Sequence, residues 1–402
     1  MKNLAVEEAR ARMLAQVTPL GTEPVAVGAA AMGRVLAQTV RALRDQPPFE
    51  ASAMDGWAVR RADAEAAAAS LRIAGESAAG HGHDAALQPG EAVRIFTGGV
   101  VPPGADMVVI QEEAARDGDR VVVGPLAGKS AHIRPRGGDF HAGDVLLEPG
   151  ARLDPWRISL AAAAGASSLA VARRPRLLLL TTGEELVAAG TEPGPHQIFN
   201  SGGPSLSSLA AQWGAEVVRI ATAGDSEDKI LAAVDGVACD LIVTVGGASV
   251  GDHDLVKPAL ARLGLELMVE TVRLRPGKPT WFGTLGDGRK VLGLPGNPAS
   301  AFVCAELFLQ PLLATWQGAS PDRPILYARL EQPLGPTGPR EHWMRAAVTS
   351  RPDGTFTARP FSDQDSSLVG VFARADALMR RPADAPAAAV GDVVEVMRLE
   401  RL

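Results

Sequence analysis

Residues 291–300 read VLGLPGNPAS, and this stretch joins two different sequence patterns at one sharp turn. Residues 291–294 form a short apolar run, as in a buried strand. The residues after Pro298 repeat apolar side chains at the spacing of a helix. Asn297 suits the N-cap of that helix and Pro298 its first turn. A strand that stops directly before a helix predicts one strand–turn–helix unit of an α/β sheet.

The surrounding segment repeats this unit. Apolar strands are predicted at 176–180, 217–221 and 241–245, with further strands within 266–292. Helices are predicted between them at 204–213, 226–234 and 254–263, the first opened by Pro204 and the second capped by Asp225. Continuous apolar strands that alternate with helices indicate a mostly parallel sheet covered on both faces. The sequence therefore predicts a central three-layer α/β domain over residues 174–322.

The rest of the 402-residue chain exceeds what one core accommodates, so further domains are expected. Residues 4–17, 25–42 and 156–164 have helical patterns, and we expect the third run to pack back on the first two. Between them, residues 50–148 contain short apolar runs separated by Gly and Pro, which predict strands. The predicted units are an elongated helical domain (1–48 and 140–173), an inserted β-rich domain (49–139) and a C-terminal β domain (323–402).

Composition excludes several classes of protein. The net charge of -6 argues against non-specific nucleic-acid binding, which needs a basic surface. Cys239 and Cys304 are the only cysteines, too few for a disulfide framework or a cysteine-based zinc site. The first residues mix acids and arginines, unlike a signal peptide, and no apolar run approaches the ~20 residues that would span a membrane. We predict a cytoplasmic protein with no membrane partner.

Four loops at the predicted strand ends share a character. They are TTGEEL at 181–186, GGASVGDHD at 246–254, RPGKP at 275–279 and PGNP at 295–298. Ligands of open parallel sheets bind outside the carboxyl ends of the strands. Glycine permits close approach to the backbone, and amides at helix N-termini attract anions. Any one of these loops is an ordinary turn, but four together, with acids in two and cations in a third, predict a binding site.

The same motifs carry a family resemblance. LLLLTTGEEL (177–186), GGASVGDHD, RPGKP and LPGNPAS (294–300) resemble the motif set of the MoeA family, the molybdopterin molybdenumtransferases, which includes the E domain of gephyrin. The likeness extends to SAMDGWA (52–58), IFTGG (95–99) and RPRGGDF (134–140), in the family's order over nearly the whole chain. It implies a molybdopterin-binding type of α/β domain within an elongated homodimer whose active site is shared across the subunits.

The resemblance also implies a reaction. Molybdenum from molybdate is inserted into adenylated molybdopterin with release of AMP, in molybdenum cofactor biosynthesis, with Mg²⁺ as cofactor. A contact with other proteins of that biosynthesis is a further possible partnership. Magnesium prefers carboxylate, phosphate and water oxygens, and molybdate is a tetrahedral dianion that needs several convergent donors. The residue types in the motifs suit both ligands.

Carried over position by position, the resemblance assigns individual roles. Glu185 and Asp254 would bind the metal, and Glu184 and Asp252 are weaker candidates in the same loops. The implied catalytic residues are Glu185, Asp254, Asp55, Asp139 and Thr97, the last three reaching into the partner's cleft. The implied substrate-binding residues are Thr182, Gly183, Gly246, Gly247, Ser249, Arg275, Lys278, Pro279, Pro295, Gly296, Asn297, Pro298, Ser300, Arg340, Ser366 and Ser367. Arg275, Lys278, Ser300, Arg340 and one of the last two serines would contact molybdate.

Three features depart from the family pattern. Arg275 stands where a lysine is common, which keeps the charge but changes its geometry to a planar fork. Glu184 replaces a frequent aspartate. The loop at 363–368 reads DQDSSL and is more acidic than the usual Gly/Ser-rich loop, so Ser366 and Ser367 both stay open as the molybdate contact.

Two alternative functions are left open. A molybdopterin adenylyltransferase has a similar sheet domain, although such enzymes are compact and lack the other three regions. A gephyrin-like scaffold or binding protein is the second alternative, and the intact set of acids and bases argues against a purely structural role. The pair His81 and His83 resembles a metal clip, but two flanked histidines are more often a solvated loop.

Overall fold

The structure is a computed structural model, and it describes residues 1–65, 68–126, 128–247 and 255–400. Of the residues assigned a role from the sequence, Ser249 and Asp254 lie outside the described residues, as does Asp252.

A six-stranded sheet forms the centre of the molecule. Its strands, in order across the sheet, are Glu216–Ala223, Arg176–Thr182, Leu241–Val245, Lys290–Leu294, Trp281–Thr284 and Glu266–Val269. The first four strands are mutually parallel. Trp281–Thr284 runs antiparallel to them, and Glu266–Val269 pairs antiparallel with Trp281–Thr284. The register pairs Leu180 with Thr244 and Thr244 with Gly293, so the parallel strands end at a common edge. The predicted mostly parallel sheet is confirmed.

Alternate residues of the central strands build two cores, one on each face. Leu177 and Leu179 point into one core, and Leu178 and Leu180 point into the other. The first core packs on the helices Val6–Leu14, Gly202–Gln212, Pro298–Cys304 and Gln310–Trp316. The second packs on Glu227–Val234 and Val256–Ala261. Both faces of the sheet are therefore covered, which explains why its strands are continuously apolar.

The helix that follows the quoted turn continues through a π-helical turn at Ala305–Leu309 into Gln310–Trp316. The run Pro298–Trp316 is long and apolar enough to cross a membrane by length and composition, and it is the one run of that kind in the described ranges. However, 89% of it is buried inside the protein, where it fills the first core. The sequence analysis missed this run because Glu306 and Gln310 interrupt its apolar residues.

The prediction of a helix over residues 25–42 is wrong. This segment begins in the strand Thr22–Ala26, which pairs antiparallel with Ser168–Ala172, and it ends in the short strand Val40–Arg41, which pairs with Val145–Leu147. A short 3₁₀ turn at Ala29–Ala31 is the helical part of it. Because its strand partners lie more than a hundred positions away, local periodicity does not reveal them.

The expected packing of the third helical run on the first is also wrong. The helix Pro155–Ala163 packs on the strand pairs just described, through a core that includes Ala161, Leu169 and Val171. The N-terminal helix Val6–Leu14 instead joins the core of the sheet domain, with Met13 only 1% exposed. Apart from this N-terminal helix, the region predicted as an elongated helical domain consists of the helix Pro155–Ala163, the 3₁₀ turn and short antiparallel strands.

The inserted β-rich region forms a six-stranded sheet. Its strands, in order, are Met107–Ile110, Gly56–Val59, Glu91–Ile95, Ala69–Ser77, Arg120–Val123 and Ala114–Asp117. The short strands Ala51–Ser52 and Ile133–Arg134 pair beside it. The apolar runs that predicted strands in this region all lie in these elements.

The C-terminal region is a closed β barrel. Its strands, in order, are Glu341–Ser350, Phe356–Pro360, Ile325–Leu330, Val393–Arg398 and Ala377–Arg381, and the last pairs with the first. The short strand Leu274–Arg275 of the sheet domain adds parallel to the edge of this barrel, with Arg275 opposite His342. This pairing brings the C-terminal region to the carboxyl edge of the central sheet.

Candidate functional site

One large cavity of about 1110 Å³ opens at the carboxyl edge of the central sheet. Its walls come from the loops that follow the four parallel strands, from the turn at 275–279 and from the C-terminal region. The residues predicted from the sequence that line it are Thr182, Gly183, Glu185, Gly246, Gly247, Arg275, Lys278, Pro279, Pro295, Gly296, Asn297, Pro298, Ser300, Arg340, Ser366 and Ser367. The four loops singled out in the sequence therefore meet at one place, although part of the second loop lies outside the described residues.

Close backbone packing shapes the floor of the cavity. Gly246 has φ +93°, and a Cβ built on it would lie 2.8 Å from the carbonyl oxygen of Thr182 and 2.9 Å from its hydroxyl. Its amide donates to the carbonyl of Leu294, 3.2 Å away, which ties the second loop to the strand before the PGNP turn. Only glycine accommodates both the left-handed backbone and this approach. The neighbouring strand ends are thereby held in contact.

Among the described residues three carboxylates line the cavity: Asp365 of the acidic loop and two that follow parallel strands, of which one was not predicted to line it. Glu185 follows the strand Arg176–Thr182, and Asp225 follows the strand Glu216–Ala223. The sequence analysis treated Asp225 as a helix N-cap, but the N-cap of the helix Glu227–Val234 is Ser226. Within the described residues neither of these last two carboxylates has an ion-pair or hydrogen-bond partner. By contrast, Glu184 points away to an ion pair with Lys229 at 3.6 Å.

Three cations line the same cavity. Arg275 and Lys278 lie on one turn, which is anchored where the amide of Val272 donates to the carbonyl of Lys278 at 3.0 Å. Arg340 comes from the start of the barrel, brought there by the pairing of Arg275 with His342. In the part of the chain that the structure describes, no carboxylate oxygen lies within 4.0 Å of a charged nitrogen of these three cations. Their positive charge is thus not neutralised by neighbouring protein groups.

The histidine behind these cations is held neutral. Burial lowers the pKa of His342 to about 4, and the positive charges of Arg275, Arg345 and Arg340 act in the same direction. A protonated imidazole there would add a further charge to a group that is already positive. At neutral pH the positive potential of this wall therefore comes from the arginines and Lys278.

The acidic loop predicted at 363–368 forms another wall, and its two serines differ. The hydroxyl of Ser367 donates to the carboxylate of Asp365 at 2.6 Å, and the amide of Ser367 also donates to that carboxylate at 2.8 Å. The hydroxyl of Ser366 accepts from Nδ2 of Asn297 at 2.8 Å and keeps its own proton for another acceptor. Asn297 therefore sits at the N-cap position of its helix, as predicted, while its side chain bonds to the loop instead of the helix amides.

Further cavity residues were missed by the sequence analysis. Nδ2 of Asn200 donates to the hydroxyl of Thr181 at 2.8 Å, and its Oδ1 accepts from the amide of Gly203 at 2.9 Å. Beside it, Ile198 and Phe199 line the cavity while 59% and 49% exposed. Ile198–Phe199 is a two-residue strand paired with Leu186–Val187, and its exposure is a property of the fold that the sequence pattern did not show.

The remaining predicted residues lie in the inserted β domain and do not line this cavity. The carboxylate of Asp55 accepts from the amide of Thr97 at 2.7 Å and from its hydroxyl at 2.8 Å. The hydrogen bond from the Thr97 amide, and after it the bond from the hydroxyl, holds the pKa of Asp55 below its usual value. The carboxylate of Asp139 is exposed, and its amide donates to the carbonyl of Gln46 at 2.9 Å. The structure joins Asp55 to Thr97 but brings neither to the cavity of its own chain.

The donor set of the cavity fits a hard divalent cation. No group of three or more His, Cys, Asp or Glu that could hold a metal is found among the described residues. Magnesium, however, is commonly bound by one or two carboxylates while water and substrate phosphates complete its octahedron. Glu185 and Asp225 supply two carboxylates in one cavity, with the hydroxyl of Thr182 beside them. This oxygen-only set suits magnesium better than a thiophilic metal.

Family models match three consecutive parts of the chain. They describe the MoeA N-terminal region (domain I and II) over residues 4–165, a "probable molybdopterin binding domain" over 178–315 and the MoeA C-terminal region (domain IV) over 327–399.

Individual relatives match over most of the length. A protein of Mycobacterium tuberculosis named molybdopterin molybdenumtransferase 2 is 36% identical over 382 residues, which cover 92% of this chain and 93% of that protein. A molybdopterin molybdenumtransferase of Staphylococcus aureus is 30% identical over 404 residues, 99% of this chain and 96% of that protein. The crystal structure of a molybdopterin biosynthesis MoeA protein from Pyrococcus horikoshii superposes with a TM-score of 0.82 at 28% identity, covering all of both chains. That match confirms the predicted multi-domain α/β fold.

Proposed function

This chain belongs to the MoeA family, and on that premise we propose that it is a molybdopterin molybdenumtransferase of molybdenum cofactor biosynthesis. Its substrates would be adenylated molybdopterin and molybdate, and its products the molybdenum-loaded pterin and AMP. A cytoplasmic location, and contact with other proteins of the same biosynthesis, are parts of this proposal that rest on the sequence resemblance.

One observation carries the proposal. Acids and cations line a single cavity, and no ion pair forms between them in the described ranges. These carboxylates and cations are exposed to solvent, so their charges are hydrated and remain available to ligands of opposite charge. A substrate with a pyrophosphate and a second substrate that is a dianion would use both sets of charges together.

The residues divide between the two substrates by their charge. Arg275, Lys278 and Arg340 are suited to the molybdate oxygens, because charge-assisted hydrogen bonds are the strongest that a dianion can accept. Ser300 is 5% exposed at the cavity wall and adds a neutral donor. Of the two loop serines, we assign the contact to Ser366, since the Ser367 hydroxyl already donates to Asp365. The amide of Gly247 would donate to phosphate oxygens, whereas the amide of Gly246 already donates to the carbonyl of Leu294.

The acids would serve the adenylate end. Glu185 and Asp225, with Asp254 as assigned by the resemblance, would hold Mg²⁺, which when bound polarises the scissile phosphate. The chain's own task there is to orient the pyrophosphate between these carboxylates and the Gly247 amide of the second loop. Thr182, 8% exposed, supports that position because its carbonyl and hydroxyl pack directly on Gly246.

A second copy of the chain would complete the site. Asp55, Thr97 and Asp139 lie in the inserted domain, away from the cavity of their own chain, as expected if they act in a partner subunit. Asp55 is prepared for a role as an anion because the two bonds from Thr97 stabilise its ionised form. We therefore propose a homodimer with the active site shared across the subunits.

The test is AMP release from adenylated molybdopterin, with magnesium present, as molybdate is titrated. The wild-type protein is expected to release AMP in a molybdate-dependent way and to stop when magnesium is chelated. The matched control is Glu184→Gln, which changes a carboxylate that faces Lys229 and should leave the rate unchanged, whereas Glu185→Gln should lower it.

Other outcomes distinguish the alternatives. ATP-dependent adenylation of molybdopterin, without molybdate-dependent AMP release, would replace this proposal with an adenylyltransferase. Binding of a receptor peptide with neither activity would favour a scaffold. Equal rates for Glu184→Gln and Glu185→Gln would overturn the placement of the adenylate end.

A further inference from the structure

A buried arginine that no motif indicated lies beneath the acidic loop. Arg345 belongs to the barrel strand Glu341–Ser350 and is 0% exposed. Its Nη2 donates to the carbonyl oxygen of Asp365 at 2.8 Å. Its Nε and Nη1 are buried and find no hydrogen-bond acceptor in the described residues. A fully buried guanidinium with one bonded nitrogen is costly unless its charge is used.

The backbone of the same residue fixes the loop. The amide of Arg345 donates to Oε1 of Gln364 at 3.0 Å, and Nε2 of Gln364 donates back to the carbonyl of Arg345 at 2.9 Å. With the bond to Asp365, three contacts from one strand position hold two consecutive loop residues. These hydrogen bonds therefore hold the base of the loop at one position on the barrel.

The other side of the loop is fixed to the sheet domain. The amide of Ala299 donates to the carbonyl of Ser366 at 3.0 Å, and Asn297 donates to the hydroxyl of Ser366 at 2.8 Å. Ser366 thus lies between the PGNP turn and the residue held by Arg345. Because Ser366 lines the cavity, a shift of the loop would move a proposed molybdate contact.

Charge gives Arg345 a second effect. Asp363 and Asp365 are exposed on the loop, and both favour the charged form of Arg345 against the burial that lowers its pKa. Two carboxylates beside an oxyanion site repel a dianion, and the repulsion is strong where water is partly excluded. A buried cation directly beneath the loop offsets that repulsion without occupying the cavity.

We propose that Arg345 is a positioning residue for molybdate, because it anchors the 363–367 loop and supplies the internal counter-charge that lets this acidic loop border a dianion site. The inference rests on the proposed function and adds to it a residue outside the cavity. It also accounts for the departure of this chain from a Gly/Ser-rich loop, since a buried positive charge beneath the loop offsets its acids, with a hydrogen bond to the carbonyl of Asp365 and not to a carboxylate.

The experiment compares the KM for molybdate with the KM for adenylated molybdopterin in the AMP-release assay. Arg345→Met keeps most of the apolar stem of the side chain but removes its charge and its bond to Asp365. It should raise the KM for molybdate about tenfold while the KM for the adenylate changes less than about twofold. Adding Asp363→Asn and Asp365→Asn to Arg345→Met should restore most of the loss. Asparagine keeps the oxygens that accept from the amides of Asp365 and Ser367.

A second variant keeps the inference testable if Arg345→Met does not fold. The pair Asp363→Asn and Asp365→Asn with Arg345 intact should lower the KM for molybdate severalfold, because the buried charge is then no longer offset. A rise in both KM values together, no restoration by the asparagines, or an unchanged KM in this second variant would overturn the role of Arg345. If the wild-type protein shows no molybdate-dependent AMP release, the proposed function itself fails instead.

Discussion

Replacing Gly246 with alanine perturbs the point where two strand-end loops touch, and its effect can be worked out from the structure. The new Cβ would lie 2.8 Å from the Thr182 carbonyl oxygen, whereas ordinary contacts begin at 3.4 Å, so the loops must separate by about 0.6 Å. The left-handed φ of +93° adds backbone strain of about 1–2 kcal/mol for a residue with a Cβ. Both effects act on the floor of the cavity.

Gly288→Ala is the matched control. Gly288 has φ +90°, but a Cβ there meets no atom within 4 Å, and the residue does not line the cavity. It should lose about 1 kcal/mol of stability through strain alone and keep wild-type activity. Gly246→Ala should lose about 2–3 kcal/mol, and its kcat/KM for AMP release should fall about tenfold to a hundredfold, since misplacement of catalytic groups by a fraction of an ångström is costly.

The assay combines urea denaturation with AMP release for the two variants. The stability comparison separates strain, which both share, from the clash with Thr182, which only one has. If Gly246→Ala retained wild-type kcat/KM with the stability of Gly288→Ala, close packing of these loops would not shape the site and the reasoning would be refuted.

Three further results are expected. Arg340→Ala should raise the KM for molybdate about tenfold and leave that for the adenylate unchanged; an equal rise in both would contradict the division of roles. Thr97→Val removes one bond that lowers the pKa of Asp55, so the acid limb of the pH–rate profile should move to higher pH, and an unmoved limb would exclude Asp55 from it. His342 has a pKa of about 4 when folded and about 6.5 when unfolded, so the unfolded chain binds more protons between these values. The free energy of unfolding of the barrel should therefore fall by up to about 3 kcal/mol from pH 6.5 to 4. Amide exchange of the strand Glu341–Ser350 measures this loss. The variant His342→Gln should abolish the loss, whereas the control His81→Gln, at an exposed histidine, should keep it.

The central sheet could be predicted because its strands are short, continuously apolar and followed by turns with strong local chemistry. The short apolar run 177–180 is predicted as a strand because helical patterns lie on both sides of it, and the glycines and prolines of the loops mark the strand ends. The site followed from the same logic, since parallel strands bring their carboxyl ends to one edge. Sixteen predicted residues lie on the cavity for that reason.

Most of the errors arise from contacts between distant parts of the chain, whereas the error at Asp225 is a local shift of one residue. Residues 25–42 look helical by spacing, but the strand Thr22–Ala26 pairs with Ser168–Ala172, which no local window contains. Asp225 has the chemistry of an N-cap, yet Ser226 takes that position and leaves the carboxylate in the cavity. Arg345 carried no motif, because its importance comes from a loop that reaches it through the fold. The choice between Ser366 and Ser367 likewise depended on which hydroxyl already had an acceptor.

The most direct test of the central idea is to locate the metal of the oxyanion. Crystals grown with molybdate and an adenylate should be measured on both sides of the molybdenum absorption edge. We expect one anomalous peak per subunit inside the cavity, within bonding reach of Lys278, Ser300 and Arg340. Peaks elsewhere on the molecule, with this cavity empty under conditions that support AMP release, would contradict it.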